Sequence, residues 1–200
     1  MRSNLSITLF FLFLLVRPLR SQTPSSHCFS NCGLPDTGQV DCYDLTAKSA
    51  CPVAGYIYQD ADFLISASSP SYTMYNPVVG SSVTLDDRTG LMWESTGSCN
   101  GAIQTWANAL TCCEGSTFSG LSDWRLPNVR ELLSIVDYGA STAPYINKTA
   151  FPYAISDYYW TSTTYVQSTT RAWYVYFLTG QLNYNLKTGS RLVRCVRGGP

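Results

Sequence analysis

Histidine is nearly absent: His27 is the only one in 200 residues. That leaves no histidine pair for a metal site, and a Ser-His-Asp type of triad only if His27 folds back onto the body of the chain. Thiolate zinc sites are no better served. The eight cysteines (Cys28, Cys32, Cys42, Cys51, Cys99, Cys112, Cys113 and Cys195) contain no CxxC spacing, the usual signature of such a site. No metal or cofactor is therefore expected. Charge is scarce too, at 13% of residues with 13 basic and 13 acidic. Such a balance gives no general attraction to nucleic acid. No internal repeat, low-complexity tract or catalytic signature stands out.

Long apolar runs are missing except for one. Ile7 to Val16 is almost wholly apolar, but about ten residues fall short of the roughly twenty that a membrane span needs. With Arg2 before it and Ser21 after it, residues 1–22 read as a secretory signal. Arg17 and Arg20 directly after the run leave the cleavage point open, with an uncleaved anchor as the rival reading. No cysteine follows closely, which speaks against lipid attachment. The remaining residues, about 178, suffice for one domain with a full core. All eight cysteines lie beyond the signal. An even count in an exported chain points to four disulfides and to a secreted or cell-surface location.

Acidic residues stop at Asp157. Without Arg2, Arg17 and Arg20, ten basic residues face 13 acidic ones, a net charge of −3. Yet Arg171, Lys187, Arg191, Arg194 and Arg197 all follow the last carboxylate. A local positive patch attracts anions even on an acidic protein. The alternative is that some of these arginines, Arg194 and Arg197 above all, pair with upstream carboxylates.

Residues 23–35 form a Cys/Ser/Pro-rich linker, and 36–200 the domain. Cys42 and Cys51 bracket a short polar loop, whose closeness favours a local bridge. Val83 to Trp93 reads as strand, turn, strand, with Asp86-Asp87 and Gly90 supplying the turn. Ile103, Trp106, Leu110 and Cys113 fall on one face of a helix over 102–113. A second helix is expected over 128–138. Pro127 precedes it, Asn128 and Glu131 resemble a capping box, Val129, Leu132, Leu133 and Val136 form its buried face, and Gly139 ends it. Trp173, Val175 and Phe177 then alternate with Ala172, Tyr174 and Tyr176, as in a half-buried strand. Leu182, Tyr184 and Leu186 alternate likewise with Gln181, Asn183, Asn185 and Lys187. The meander ends in a strand through Cys195. Two helices packed on antiparallel sheets make an α+β domain.

Six segments recur as a matched set. They are Thr89-Gly90-Leu91-Met92-Trp93, Trp106 to Cys113, Ser122-Asp123-Trp124-Arg125-Leu126-Pro127 running on to Leu132, Tyr159-Trp160-Thr161-Ser162-Thr163-Thr164, Ala172-Trp173-Tyr174-Val175, and Val193-Arg194-Cys195-Val196-Arg197-Gly198-Gly199. In order and spacing they resemble the Lcl C-terminal domain family, from roughly Leu34 to Gly199. That resemblance implies a disulfide-stapled C-type-lectin-like fold, one shared with sulfatase-modifying enzymes and with proteins diversified by retroelements. It implies a bridge from Cys113 on a helix to Cys195 on the last strand. Cys99 with Cys112 and Cys28 with Cys32 are the pairs then left. Cys112 is extra to the family pattern, and residues 56–82 match it loosely. Known members are exported, and one type is an adhesin that binds sulfated glycosaminoglycans.

Trp93, Trp106, Trp124, Trp160 and Trp173 are assigned to the core, because large aromatics at strand spacing are usually buried; the rival role is sugar stacking. Arg125 is read as a structural hydrogen-bond donor. The ligand-binding candidates are Arg171, Tyr174, Tyr176, Asn183, Asn185, Lys187 and Arg191. Tyrosine gives rigid contact area, asparagine adaptable hydrogen bonds, and arginine a planar fork for sulfate or carboxylate. The plainer reading is an ordinary polar sheet surface. Asn147-Lys148-Thr149 is a glycosylation sequon, and Asp60 with Asp62 a weak calcium-ligand pair. The expected function is an adhesin-like module for an extracellular anionic glycan. The alternatives are a protein-binding or structural subunit of a surface assembly, homo-oligomeric or not, or a diversified receptor, which Asn183-Tyr184-Asn185 would suit. An oxidase would need a reactive cysteine pair, and only Cys112-Cys113 offers one; the chain is not read as an enzyme.

Overall fold

The computed structural model describes residues 42–43, 48–49, 70–78, 81–97 and 99–198. The leader over 1–22, the 23–35 linker with His27, Cys28 and Cys32, the Cys42–Cys51 bridge and the Asp60/Asp62 pair lie outside the described residues. The strands β1 (Cys42–Tyr43) and β2 (Lys48–Ser49) form a small antiparallel ladder. Then follow β3 (Tyr72–Val78), β4 (Ser81–Asp86), β5 (Met92–Glu94), β6 (Gln104–Thr105), α1 (Trp106–Glu114) and α2 (Val129–Leu133). The last five strands are β7 (Tyr158–Thr164), β8 (Arg171–Tyr176), β9 (Gln181–Leu186), β10 (Ser190–Arg191) and β11 (Val196–Arg197). One antiparallel sheet runs in the order β11-β5-β4-β3, another in the order β7-β8-β9, and β10 pairs with β6. Helices packed on antiparallel sheets make this an α+β fold.

Local chemistry sets the turns. Between β4 and β5, the Asp86 carboxylate accepts from the Arg88 amide at 3.0 Å and from the Thr89 hydroxyl at 2.7 Å. Gly90 supplies the positive φ, +70°, that closes the turn. At α2, Asn128 Oδ1 accepts from the Arg130 and Glu131 amides, and Glu131 Oε2 accepts from the Asn128 amide at 2.7 Å. This reciprocal box satisfies three otherwise orphaned donors. Glu131 also takes a bidentate bond from Arg125, at 2.7 and 2.8 Å, and Arg125 donates on to the Gly198 carbonyl. Arg125 thus ties α2 to the C-terminal end.

Both helices are shorter than the sequence pattern implies. Ile103 lies outside α1 and is 59% exposed. Gln104–Thr105 instead pairs with β10, and Thr105 caps α1, so the helix cannot begin earlier. Ala109 and Cys113 form its buried face. α2 stops at Leu133, far short of Gly139, because the Ser134 amide and hydroxyl both turn back to the Glu131 carbonyl. Ile135 and Val136 nonetheless stay buried in the turn that follows. The last strand also departs from a meander. Leu192 runs parallel beside Tyr159, and β11 crosses to pair with β5 in the other sheet.

The β7-β8-β9 sheet is covered on both faces, which a period-two pattern with one buried face cannot convey. On one side Tyr159, Val175 and Phe177 pack with Leu132, Ile135 and Val136 of the α2 region. On the other, Trp160, Ala172 and Tyr174 pack with Ala109 and Cys113 of α1. Gly180 closes the β8–β9 hairpin at φ +72°, and an added Cβ would lie 2.6 Å from Tyr138 Cε1. Gly180→Ala should therefore cost about 1–3 kcal/mol through strain and overpacking. A thermal melt indistinguishable from wild type would contradict this.

The Glu131 site predicts a pH dependence. Burial alone would raise its pKa, but the bonds from Arg125 and the Asn128 amide outweigh it and hold the carboxyl below its usual range. A depressed folded pKa means stability that is fully present above the unfolded pKa, about 4.3, and lost as pH falls through the folded one. Acid denaturation of Glu131→Gln should show a shallower loss below about pH 4; an unchanged acid limb would count against this coupling.

Candidate ligand-binding face

Strand parity sorts the candidates. Across β8 and β9, Ala172 faces Asn185, Tyr174 faces Asn183, and Tyr176 faces Gln181. These lie on the α1 side, where Ala172 and Tyr174 pack. Arg191 joins the same side, its guanidinium over the rings of Tyr158 at 4.9 Å, Tyr174 at 5.1 Å and Trp160 at 5.6 Å. Lys187 completes it. Its ammonium lies 3.8 Å from the Trp106 ring centre and donates to Thr164 Oγ1 at 2.8 Å. Six of the seven candidates thus share one face. Arg171 is on the other, 5.5 Å from the Tyr184 ring.

Tyr174 is corrected as a contact residue. It is 9% exposed, and burial raises its pKa against the opposing pull of Arg191. It supports the face from beneath, edge-on to Tyr158 and Trp160. Tyr176 is half-buried and stacks on Tyr158 at 4.0 Å between ring centres. Asn183 and Asn185 are exposed. Trp173 is corrected in the opposite sense. It is only half-buried, and it sits edge-on to Tyr165 and Tyr184, which stack at 3.9 Å. Trp106 is likewise half-buried, its indole bonded to the Thr161 carbonyl. Trp93, Trp124 and Trp160 are buried.

The basic C-terminal segment is less available than its count implies. Arg194 is 1% exposed and donates to the carbonyls of Glu94 and Ser95. Arg197 makes a bidentate pair with Asp123, whose carboxyl that bond holds below its usual range. Three cations remain for a ligand: Arg171, Lys187 and Arg191. Each lies against an aromatic ring, and none is ion-paired among the described residues. The face therefore includes Tyr158 and Trp106, neither assigned to it from sequence. The available signal for the first was its place two residues before Trp160 in the Tyr-Tyr-Trp run, the spacing that puts two strand residues on one face. For Trp106 nothing local indicated that Lys187 would fold across α1.

Two disulfides fasten this region. Cys113 on α1 is bonded to Cys195, just before β11, and Cys99 is bonded to Cys112. The sequence matches the Lcl C-terminal domain over residues 82–197. The chain belongs to the Lcl C-terminal domain family. No curated protein matches it. In this Lcl C-terminal domain the disulfides fit an extracellular setting, since such bonds persist in oxidising compartments. Among the described residues no helix is long and apolar enough to cross a membrane, and no group of three His, Cys, Asp or Glu is placed to hold a metal ion.

Proposed function

We propose that this Lcl C-terminal domain, C-type-lectin-like in arrangement, is an exported binding module that recognises an anionic glycan through the α1-side face of β8 and β9. The leader over residues 1–22 would direct its export. One observation carries the reading: Lys187 and Arg191 are held on aromatic rings beside exposed Asn183 and Asn185, with no carboxylate paired to either cation among the described residues. A ring beneath a cation fixes its position without neutralising it. The fork of Arg191 suits sulfate or carboxylate, and Tyr176 and the asparagine amides would order the sugar around it. Binding rather than catalysis is the role assigned. Cys112 and Cys113 are both in disulfides, so neither supplies a free thiol.

The test is a glycan array and a heparin column run with the oxidised protein at two salt concentrations. Retention should weaken at high salt and drop at least tenfold in Lys187→Gln/Arg191→Gln, about 1.4 kcal/mol, with near-ultraviolet circular dichroism confirming the fold. A blank array from folded protein would end the glycan reading. A protein partner is the second reading. It is favoured by Leu182 and Leu186, exposed on the same face of β9 as Tyr184 of the Tyr165–Tyr184 stack and away from the α1 side.

A further inference from the structure

β9 is a six-residue strand with β8 on one side and no strand on the other among the described residues. Its register against β8 runs unbroken over six pairs. Leu182 and Leu186 are 37% and 47% exposed on one of its faces. A straight edge of this length with exposed leucines is a template for pairing with another chain.

The direction of its amides follows from one bond. The Lys187 amide donates to the Thr170 carbonyl at 2.9 Å. Residues 187 and 170 are therefore a hydrogen-bonded pair, and every second residue of β9 repeats the pattern. The amides of Gln181, Asn183 and Asn185 face β8, whereas those of Leu182, Tyr184 and Leu186 face outward. Two of these three outward amides are already engaged. Tyr184 N–H donates to Asn183 Oδ1 at 2.8 Å, and Leu186 N–H donates to Asn185 Oδ1 at 2.7 Å. An N–H requires an acceptor, so the side-chain oxygens, not the amide nitrogens, must point to the edge.

We infer that Asn183 and Asn185 close the β9 edge to strand addition by a second copy of this chain. An incoming strand would have to take over the Tyr184 and Leu186 amides, and the asparagine oxygens occupy both. Gln181 offers the comparison: it lies on the same strand face as the two asparagines, is exposed, and caps no outward amide. This inference is independent of the glycan reading. It concerns the Oδ1 atoms and the assembly state, whereas ligand contact would use the Nδ2 groups.

Two measurements test it. In wild-type protein, hydrogen exchange resolved by residue should show the Tyr184 and Leu186 amides about fivefold slower than Leu182, the worth of one modest hydrogen bond. Light scattering should then show a rise in mass over wild type for Asn183→Val/Asn185→Val, but not for Gln181→Val. Equal exchange at the three amides overturns the inference. So does a double variant of unchanged mass, or a Gln181→Val variant that assembles just as readily, since added apolar surface would then be the cause.

Discussion

Replacing Arg194 with alanine should remove about 3–5 kcal/mol of stability. In a domain of this size that is a fall in Tm of roughly 10 °C or more. Arg194 is 1% exposed, and burial, which penalises the cation, lowers its pKa. Its Nη1 donates to the carbonyls of Glu94 and Ser95, and its guanidinium lies 5.1 Å from the Phe151 ring centre and 5.7 Å from that of Tyr159. Glu94 is itself 2% exposed and accepts from Ser116 Oγ at 3.0 Å. Alanine would leave a cavity, two buried carbonyls without this donor, and a buried carboxylate without its neighbouring cation. Arg194→Lys keeps the charge but not the planar fork, so it should fall between. Arg194→Met keeps volume alone and separates packing from polarity: if it matches wild type, the residue serves as filler. Thermal unfolding of the three variants decides, and an alanine variant within 1 kcal/mol of wild type would sink the argument.

Arg194 also marks where reading by sequence reaches its limit. A run of cations after the last carboxylate is legible as a positive segment, with carboxylate pairing of Arg194 and Arg197 as the alternative; the pairing holds at Arg197, but the burial of Arg194 and the ring support of the other three are not legible. That division depends on partners about 100 positions away: Glu94 for Arg194, and Asp123, 74 positions upstream, for Arg197. Local signals fared better. The Asn128–Glu131 box and the Asp86–Gly90 turn are chemistry within a few residues, and both are present. The alternation in β8 and β9 located the strands and put Tyr174, Tyr176, Asn183, Asn185 and Lys187 on one face; Arg191, in β10, joins them only through tertiary packing. The pattern misjudged depth at Tyr174 and Trp173, because alternation shows which residues share a face but not what covers that face: the α1-side core closes over Tyr174, whereas Trp173 lies against the Tyr165 and Tyr184 rings. Helix lengths failed for a related reason. A tertiary pairing, β6 with β10, claimed the first turn of α1, and a serine hydroxyl ended α2.

The vicinal cysteines should separate under reduction. Cys99–Cys112 spans 13 positions and Cys113–Cys195 spans 82. Loop-closure entropy assigns these about 3 and about 4.5 kcal/mol. Access differs more sharply. Cys113 and Cys195 are 0% exposed, whereas Cys99 and Cys112 are both half-buried. Exchange requires a thiolate to reach a sulfur, so mild reductant should open Cys99–Cys112 while the protein is still folded. Cys113–Cys195 should open only on unfolding, because it lies among Trp124, Trp160 and Val193 in the α1-side core. Timed alkylation with peptide mass analysis should label Cys99 and Cys112 first, with a lag before Cys113 and Cys195; simultaneous labelling of all four would refute the order. Cys113→Ala/Cys195→Ala should lower Tm by 10 °C or more. The consequence reaches the ligand face. Trp106, the ring under Lys187, is carried by α1, and the Cys113 bridge is the covalent tie between that helix and the C-terminal segment. Heparin retention should therefore survive opening of the outer bridge and fail with the inner one.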